Sequence, residues 1–448
     1  MQSNATDKLA SRILGSSPSA IPADVVHEAK RALLNITGCA LGGATHPAMD
    51  IAIAALGPYA GQPTCAVLGR RERFDPLFAS MLNGISSHVH DYDDTTPKNY
   101  IHNSSPVASA LFAYASVNLV SGSDFLHAFI LGFEVVSRIG NATYPAHYDA
   151  GWHSTGSIGV FGAAIAVGKL LGLSKTQMIH TIGMAATQSA GLREMFGSMA
   201  KSLHPGRSAQ SGYMAALLAQ KGFTAGLQSL EGPRGFAAVQ SAAYDLDKIT
   251  DGFGEEFDLR VNTYKPFPCG IVIHPTIDAC SQLHVAHGLD PAQVTLVKLR
   301  VAPLVKDLCN KQDITCGLEG KFSIYHAAAI GLARGKGTLA EFTDDVASDP
   351  VLKRLREITE AVGDSRVSED AVHVEVYLSD GRVLTKDLTG SIGNLARPLS
   401  DRQLERKLAD QSTVIAPYAV DELIARCWEV DKLRDMSELI GLTVPMPL

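Results

Sequence analysis

The sequence predicts a mainly α-helical protein built as a large all-helical domain and a smaller α+β domain. Through the first half, apolar residues recur at helical spacing; after about Asn262 the period drops to two; from Ser400 it returns to helical. A chain of 448 residues with 46% hydrophobic residues is also longer than one ordinary core, which favours two domains.

The elements follow in order. In Asp24–Ala40, Val25, Ala29, Leu33, Ile36 and Ala40 share one stripe. Phe74, Leu77, Phe78, Met81, Leu82, Ile85 and Val89 make a second stripe, and Asp75-Pro76 is a suitable helix start, with Pro in the first turn. That helix is expected to end near His90, leaving Asp91 to His102 as a loop, where chemistry is commonly carried. Gly and Ala are abundant while aromatics are only 6%, so helices are expected to approach closely. Gln293–Val301 alternates as a half-buried strand does, and His373–Leu378 and Arg382–Leu388 alternate on either side of Ser379-Asp380-Gly381, a hairpin signal. The tail, with Leu404, Leu408, Val420, Leu423, Ile424 and Trp428, reads as helix packing back on the first domain. The expected division is therefore 1–262 with 399–448 for the helical domain and 263–398 for the α+β domain.

Composition removes several function classes. The net charge of −7 and the lack of a basic stretch argue against nucleic acid as a partner. The seven cysteines are odd in number and include no C-x-x-C pair, which argues against a disulfide framework, a structural zinc site or an iron–sulfur cluster. The N-terminal MQSNATDKLASRILGSS lacks the apolar core of a signal peptide, and the low-charge stretches Pro106–Ser123 and Ser154–Gly168 read as buried helices rather than membrane spans. The expectation is a cytoplasmic or organelle-matrix protein with no membrane partner.

Three weak motifs fail. Gly156, Gly159 and Gly162 recur every third residue without the G-x-G-x-x-G pattern, and close helix packing explains them better. Gly162 to Gly168-Lys169 has the wrong spacing for a phosphate loop, and Leu170 stands where Ser or Thr would hold magnesium. Asp91, Asp93 and Asp94 lack the glycine and distal Glu of a calcium loop. No metal and no cofactor is expected.

Five clusters remain: His90 to Thr95 with His102; Gly151 to Gly156; Phe196 to Arg207; Lys265 to Cys269 with His274 and Asp278; and Lys321 to His326. Each has an ordinary structural explanation. A lone His is more often a satisfied polar group than a catalyst, though its pKa suits proton transfer near neutrality. Asp93-Asp94 could cap the next element, and Tyr325 could belong to the core. Lys201 differs, because it sits in an apolar, Gly-rich stretch with Arg193, His204 and Arg207 nearby, as a carboxylate-binding lysine would.

Taken together and in this order, the clusters resemble the MmgE/PrpD family, which includes 2-methylcitrate dehydratases and cis-aconitate decarboxylases, along nearly the whole chain. FGSMAKSLHPGRSAQSG is the most specific segment, and GSIGNLARPLSDRQLERK (Gly390–Lys407) is similar to the family's C-terminal pattern. The resemblance implies a large helical domain and a smaller α+β lid with the site between them, a homodimer, and cofactor-free acid–base chemistry on a small polycarboxylate. It implies site roles for Asp91, His102, His153 and Lys201, taken here as catalytic, and for Thr95, Lys265 and Tyr325, taken as substrate-binding; His204, close to Lys201 in sequence, is added to the substrate-binding set. Two places depart from the family: Asn103-Ser104-Ser105-Pro106 follows His102 in place of His-Pro, and Thr96–Ile101 (TPKNYI) differs from the nearest dehydratase and decarboxylase patterns, which leaves the substrate open.

The chemistry expected is that Lys201 and Lys265 neutralise carboxylates, His102 handles the carbon-bound proton with His153 in support, and Asp91 orients a histidine or a substrate hydroxyl, with Asp91 itself as base the alternative. Dehydration of 2-methylcitrate or another alkylcitrate is the first expectation. A cis-aconitate decarboxylase-type carboxy-lyase, a polycarboxylate epimerase or isomerase, and a non-catalytic dimeric family member are the alternatives.

Overall fold

The computed structural model describes residues 4–446. The helices that build the site are α1 (Ala23–Gly43), α2 (Pro76–His88), α3 (Ser104–Ala115), α4 (Gly122–Thr143), α5 (Ser154–Leu170) and α6 (Ala200–Gln220). The start of α2 is set as its sequence suggests: the Asp75 carboxylate accepts from the amides of Leu77 and Phe78, with Pro76 in the first turn. The stripe Val25, Ala29, Leu33, Ile36 and Ala40 is buried along α1.

Small residues decide how closely these helices approach. A Cβ added at Gly84 of α2 would lie 2.5 Å from the Cα of Gly206 in α6. One at Gly162 of α5 would lie 2.3 Å from Val136 of α4. The Gly156, Gly159 and Gly162 spacing is therefore a packing device, and it brings the N-termini of α5 and α6, with His153 and Lys201, toward the end of α2.

The α+β part comprises α7 (His274–His287), β1 (Val294–Val301), α8 (Ile324–Arg334), β2 (Thr359–Gly363), β3 (Ala371–Leu378) and β4 (Val383–Thr389), with short helical pieces between them. The sheet order is β2-β1-β3-β4; β1 is parallel to β2 and antiparallel to β3. The β3–β4 hairpin turns at Ser379 to Arg382, where Gly381 has φ +88°. Buried side chains from Cys269 to Leu388 make one core, and α7 and α8 cover the sheet. Leu399, Leu404, Leu408 and Leu423 belong instead to the core formed by α1–α6. Helix α9 (Asp401–Gln411) lies directly on α1, where a Cβ at Gly38 would come within 2.9 Å of Leu408.

No single described helix is long and apolar enough to cross a membrane. All seven cysteines are free, and only Cys316 is not fully buried.

Candidate active site

The loop Asp91–His102 leaves α2 and is held against the lid. Thr95 and Thr263 exchange backbone hydrogen bonds of 2.9 and 3.1 Å, and Thr96 pairs with Ile101. Two residues of this loop have left-handed backbones, Asp91 at φ +52° and Tyr100 at φ +57°. Asp tolerates that region, but a bulky Tyr does so only where its surroundings hold it.

Asp91 is the centre of the site. Its Oδ1 lies 2.8 Å from Lys201 Nζ and 3.0 Å from Lys265 Nζ. Lys265 also donates to the Asp91 carbonyl at 3.2 Å. His102 Nε2 stands off at 3.8 Å from Asp91 Oδ1, and both lysines are closer, so the carboxylate's nearest partners are the two cations rather than a histidine. Burial alone would push the Asp91 carboxyl up, but the two ammonium groups hold it well below the usual range. Among the described residues, Asp91 Oδ2 has no hydrogen-bond partner.

Lys201 has a second partner. Its Nζ donates to His88 Nε2 at 2.7 Å, and His88 Nδ1 donates to the Asp93 carboxylate at 2.8 Å. A lysine ammonium can only donate, so His88 Nε2 is the lone-pair nitrogen and Nδ1 carries the hydrogen. Asp93–His88–Lys201 is thus a buried chain of three groups. Burial lowers the Lys201 pKa and the Asp91 charge opposes it, with the net result below the ordinary lysine value. The aromatic faces of Phe196 and Phe322, 5.4 and 5.6 Å from Nζ, give the cation a dry but favourable surrounding.

His102 is set by the same logic. Its Nδ1 donates to the Asp94 carbonyl at 3.0 Å, with Asp93 Oδ1 at 3.4 Å, and both of these are acceptors. Nε2 is therefore the lone-pair nitrogen and points toward Asp91. Burial drives the His102 pKa well below its ordinary value, with the Asp93 charge opposing, so the ring is neutral. Its backbone amide is held by Thr155 Oγ1 at 3.1 Å.

His153 precedes α5 and pairs Nδ1 to Nδ1 with His204 at 2.8 Å, leaving Nε2 with no protein hydrogen bond among the described residues. Burial, followed by the charge of Lys201, drives its pKa well down.

These groups face a small cavity of about 40 Å³. Asp91, Thr95, His102, His153, Lys201 and Lys265 line it. Two expected site residues do not. The hydroxyl of Tyr325 donates to Asn310 Oδ1 at 2.9 Å and accepts from Lys306 at 3.0 Å, inside the lid core. His204 reaches the cavity only through His153. Arg193 stacks on Tyr148, 4.2 Å from its ring, and Arg207 is exposed, so neither stands beside Lys201 as a second cation.

Two important residues carried little signal in the sequence. His88 is the last residue of an apolar helix, and only its spacing of five from Asp93 would have marked it. Lys407 of α9 donates to Asn35 Oδ1 at 2.8 Å, the Tyr92 carbonyl at 2.7 Å and the Lys265 carbonyl at 2.9 Å. Those three bonds use every N–H of its ammonium, so Lys407 is a pin between the C-terminal helix, the loop and the lid. Burial brings its pKa down to about 8. Lys201 and Lys265 have two close partners each and keep one N–H for a ligand.

His88, Asp91, Asp93 and His102 offer ligand atoms within 4.8 Å of one another, as a metal site would. Lys201 already sits 2.7 Å from the His88 nitrogen and 2.8 Å from the Asp91 oxygen, and a dication there would face two ammonium groups. The donor set fits lysine better than a metal ion.

The arrangement therefore offers two cations for carboxylates, one neutral imidazole nitrogen as base and one softened ammonium as acid. The MmgE/PrpD N-terminal domain model matches residues 7–248 and the MmgE/PrpD C-terminal domain model matches residues 267–430. The chain belongs to the MmgE/PrpD family. It is 27% identical to a cis-aconitate decarboxylase-like protein, oryM, of Aspergillus oryzae, covering 98% of this chain and 97% of that one. It is 27% identical to a cis-aconitate decarboxylase of Aspergillus terreus (96% and 94% covered) and 27% identical to the human cis-aconitate decarboxylase (99% and 95% covered).

Proposed function

We propose that this protein is a carboxy-lyase acting on cis-aconitate or a substituted relative, without a cofactor. The observation that carries the reading is the convergence of Lys201 and Lys265 on one Asp91 oxygen beside the neutral Nε2 of His102. Each ammonium keeps one N–H, and a polycarboxylate supplies the anionic acceptors for both. The relatives named above are carboxy-lyases by name, which favours loss of carbon dioxide over the dehydration expected first.

In cis-aconitate a carbon–carbon double bond lies β,γ to one carboxylate. The C–CO₂ bond breaks, its electron pair forms a new double bond, and the far carbon of the old double bond takes a proton. Lys201 is the donor that fits, since burial has softened its ammonium and His88 and Asp93 hold it in line. Lys265, 3.0 Å from the same Asp91 oxygen, faces the remaining carboxylates. Solvent returns the proton to Lys201 once carbon dioxide has left.

Dehydration of 2-methylcitrate is the second reading, favoured by the His102 lone pair, because a neutral imidazole is what removal of a proton beside a carboxylate needs. The cavity of about 40 Å³ is small for a six-carbon acid, and movement of the lid would widen it. A homodimer in the cytoplasm or an organelle matrix belongs to the same proposal, supported by the family and by seven unpaired cysteines.

The test is mass spectrometry of the products from cis-aconitate, 2-methylcitrate and citrate. Carbon dioxide and a five-carbon diacid from cis-aconitate support the carboxy-lyase. Water loss from 2-methylcitrate with no decarboxylation would replace it with the second reading, and turnover of none of the three would refute both.

A further inference from the structure

His88 and His102 have tautomers fixed by groups that cannot change roles, a lysine ammonium and a carboxylate for one and a backbone carbonyl for the other. His153 does not. Its Nδ1 faces His204 Nδ1 at 2.8 Å, and either ring can own the hydrogen between them. Burial, then the charge of Lys201, keeps both rings neutral, His153 well below its ordinary pKa and His204 at about 4. Two neutral rings joined in this way have two states. In one, His153 donates, its Nε2 is a lone pair, and His204 carries its hydrogen on Nε2. In the other, His204 donates, His153 carries an Nε2–H, and His204 Nε2 is the lone pair. The two rings also differ in place. His153 lines the catalytic cavity, whereas His204 does not and is only half-buried, with Leu203 and Arg207 of the same helix exposed beside it. The pair is firmly seated. The His153 amide donates to the Gly191 carbonyl at 3.0 Å, and the ring of Phe196 stands edge-on to His153 at 5.1 Å. Gly191, at φ +129°, leaves room for His204, whose Cγ would lie 3.3 Å from a Cβ there. A Cβ at Gly156 would lie 2.9 Å from the His204 Cβ.

We infer that His204 is the solvent-side member of a two-imidazole relay that carries one proton between bulk water and the catalytic cavity through His153. The inference rests on the carboxy-lyase reading above, in which each turnover consumes one proton and Lys201 gives it up. On an inward pass, the His204 Nε2 lone pair takes a proton from solvent, the His204 Nδ1–H passes to His153 Nδ1, and the His153 Nε2–H leaves for the neutral Lys201 amine, which lines the same cavity. Both rings end neutral, and the low basicity of each favours movement of the protons together over a resting imidazolium. The outward pass is the reverse. Each pass reverses the hydrogen bond between the rings, so a second inward proton waits until both rings have exchanged with solvent as the site empties. His204 is thus a positioning residue that acts through His153, and a closed site imports the single proton that loss of carbon dioxide requires.

The experiment is steady-state turnover of cis-aconitate by the full-length protein and by its His204→Gln and His204→Ala variants, with and without added imidazole, each variant checked for folding by circular dichroism. Gln still offers His153 Nδ1 a hydrogen-bond partner but cannot hand a proton on. In both variants kcat should fall about 10²-fold with KM little changed. Free imidazole should restore turnover in His204→Ala, where it can take the vacated place, and not in His204→Gln, where the side chain fills it. A His204→Gln protein at the parent kcat, or a folded His204→Ala protein that is slow and unmoved by imidazole, would overturn the relay and leave the polycarboxylate reading standing. If His204→Ala does not fold, the kcat of His204→Gln decides. A parent that turns over none of cis-aconitate, 2-methylcitrate and citrate overturns the polycarboxylate reading and the relay with it.

Discussion

Asp91→Asn tests the electrostatic core of the site. The substitution keeps the shape and removes one charge, leaving Lys201 and Lys265 buried with no carboxylate at 2.8 and 3.0 Å. Removing one partner of a buried ion pair costs about 3–5 kcal/mol, because the other charge stays desolvated. The loss depends on pH. Burial already sets the Lys201 pKa below its unfolded value, and Asp91 is the strongest influence holding it up. A base with a depressed folded pKa binds fewer protons than the unfolded chain, so stability rises with pH between the folded value and about 10.4. In Asp91→Asn that window extends downward. Urea denaturation should therefore show the full deficit at neutral pH and a smaller one near about pH 9, as Lys201 sheds its proton. Binding of a tricarboxylate, which restores negative charge, should stabilise the variant more than the parent. An Asp91→Asn protein as stable as the parent at neutral pH would refute the claim that both cations depend on this carboxylate.

Other outcomes follow from the same geometry. His102→Gln should lower turnover by about 10²–10⁴-fold with the fold and tricarboxylate binding retained, read by kcat and circular dichroism; full activity would remove His102 from the chemistry. Asp93→Asn keeps an acceptor for His88 but loses the charge that raises Lys201, so kcat should fall about tenfold and the alkaline limb of its pH profile should move to lower pH; an unmoved limb would break the Asp93–His88–Lys201 chain. Burial, with Asp93 adding to it, lifts the Asp94 pKa to about 7. Stability from neutral Asp94 is then complete below about pH 3.9 and lost as pH rises through about 7. Asp94→Asn should flatten that part of the stability profile, and a profile identical to the parent's would contradict the shift.

Much of the fold was legible because its signals are local. A stripe such as Val25 to Ala40, the Asp75-Pro76 start of α2 and the Asp-Gly turn at 380–381 each act over a few residues, so the chain states them directly. The return of Leu404 and Leu408 to the first core was readable as a helical stripe, but its landing place on Gly38 depends on three-dimensional packing. The site was legible as residue types in family order. Asp91, His102, His153, Lys201 and Lys265 do come together, whereas Tyr325 and His204 belong to supporting positions.

The sequence by itself determined the helical and alternating segments, the turn and cap chemistry, and the supply of two lysines and two histidines within one family's pattern. Tertiary structure alone decided what each of those groups does. Packing of α2 on α6 through Gly84 and Gly206, and of α5 on α6 through Gly212, brings His88 to Lys201, which no spacing along the chain requires. The Asp94 carbonyl selects the His102 nitrogen that keeps its lone pair, and the lysines rather than a histidine claim Asp91. The reason is physical: secondary structure depends on neighbours in sequence, whereas protonation and hydrogen bonding depend on neighbours in space, and burial makes those neighbours decisive.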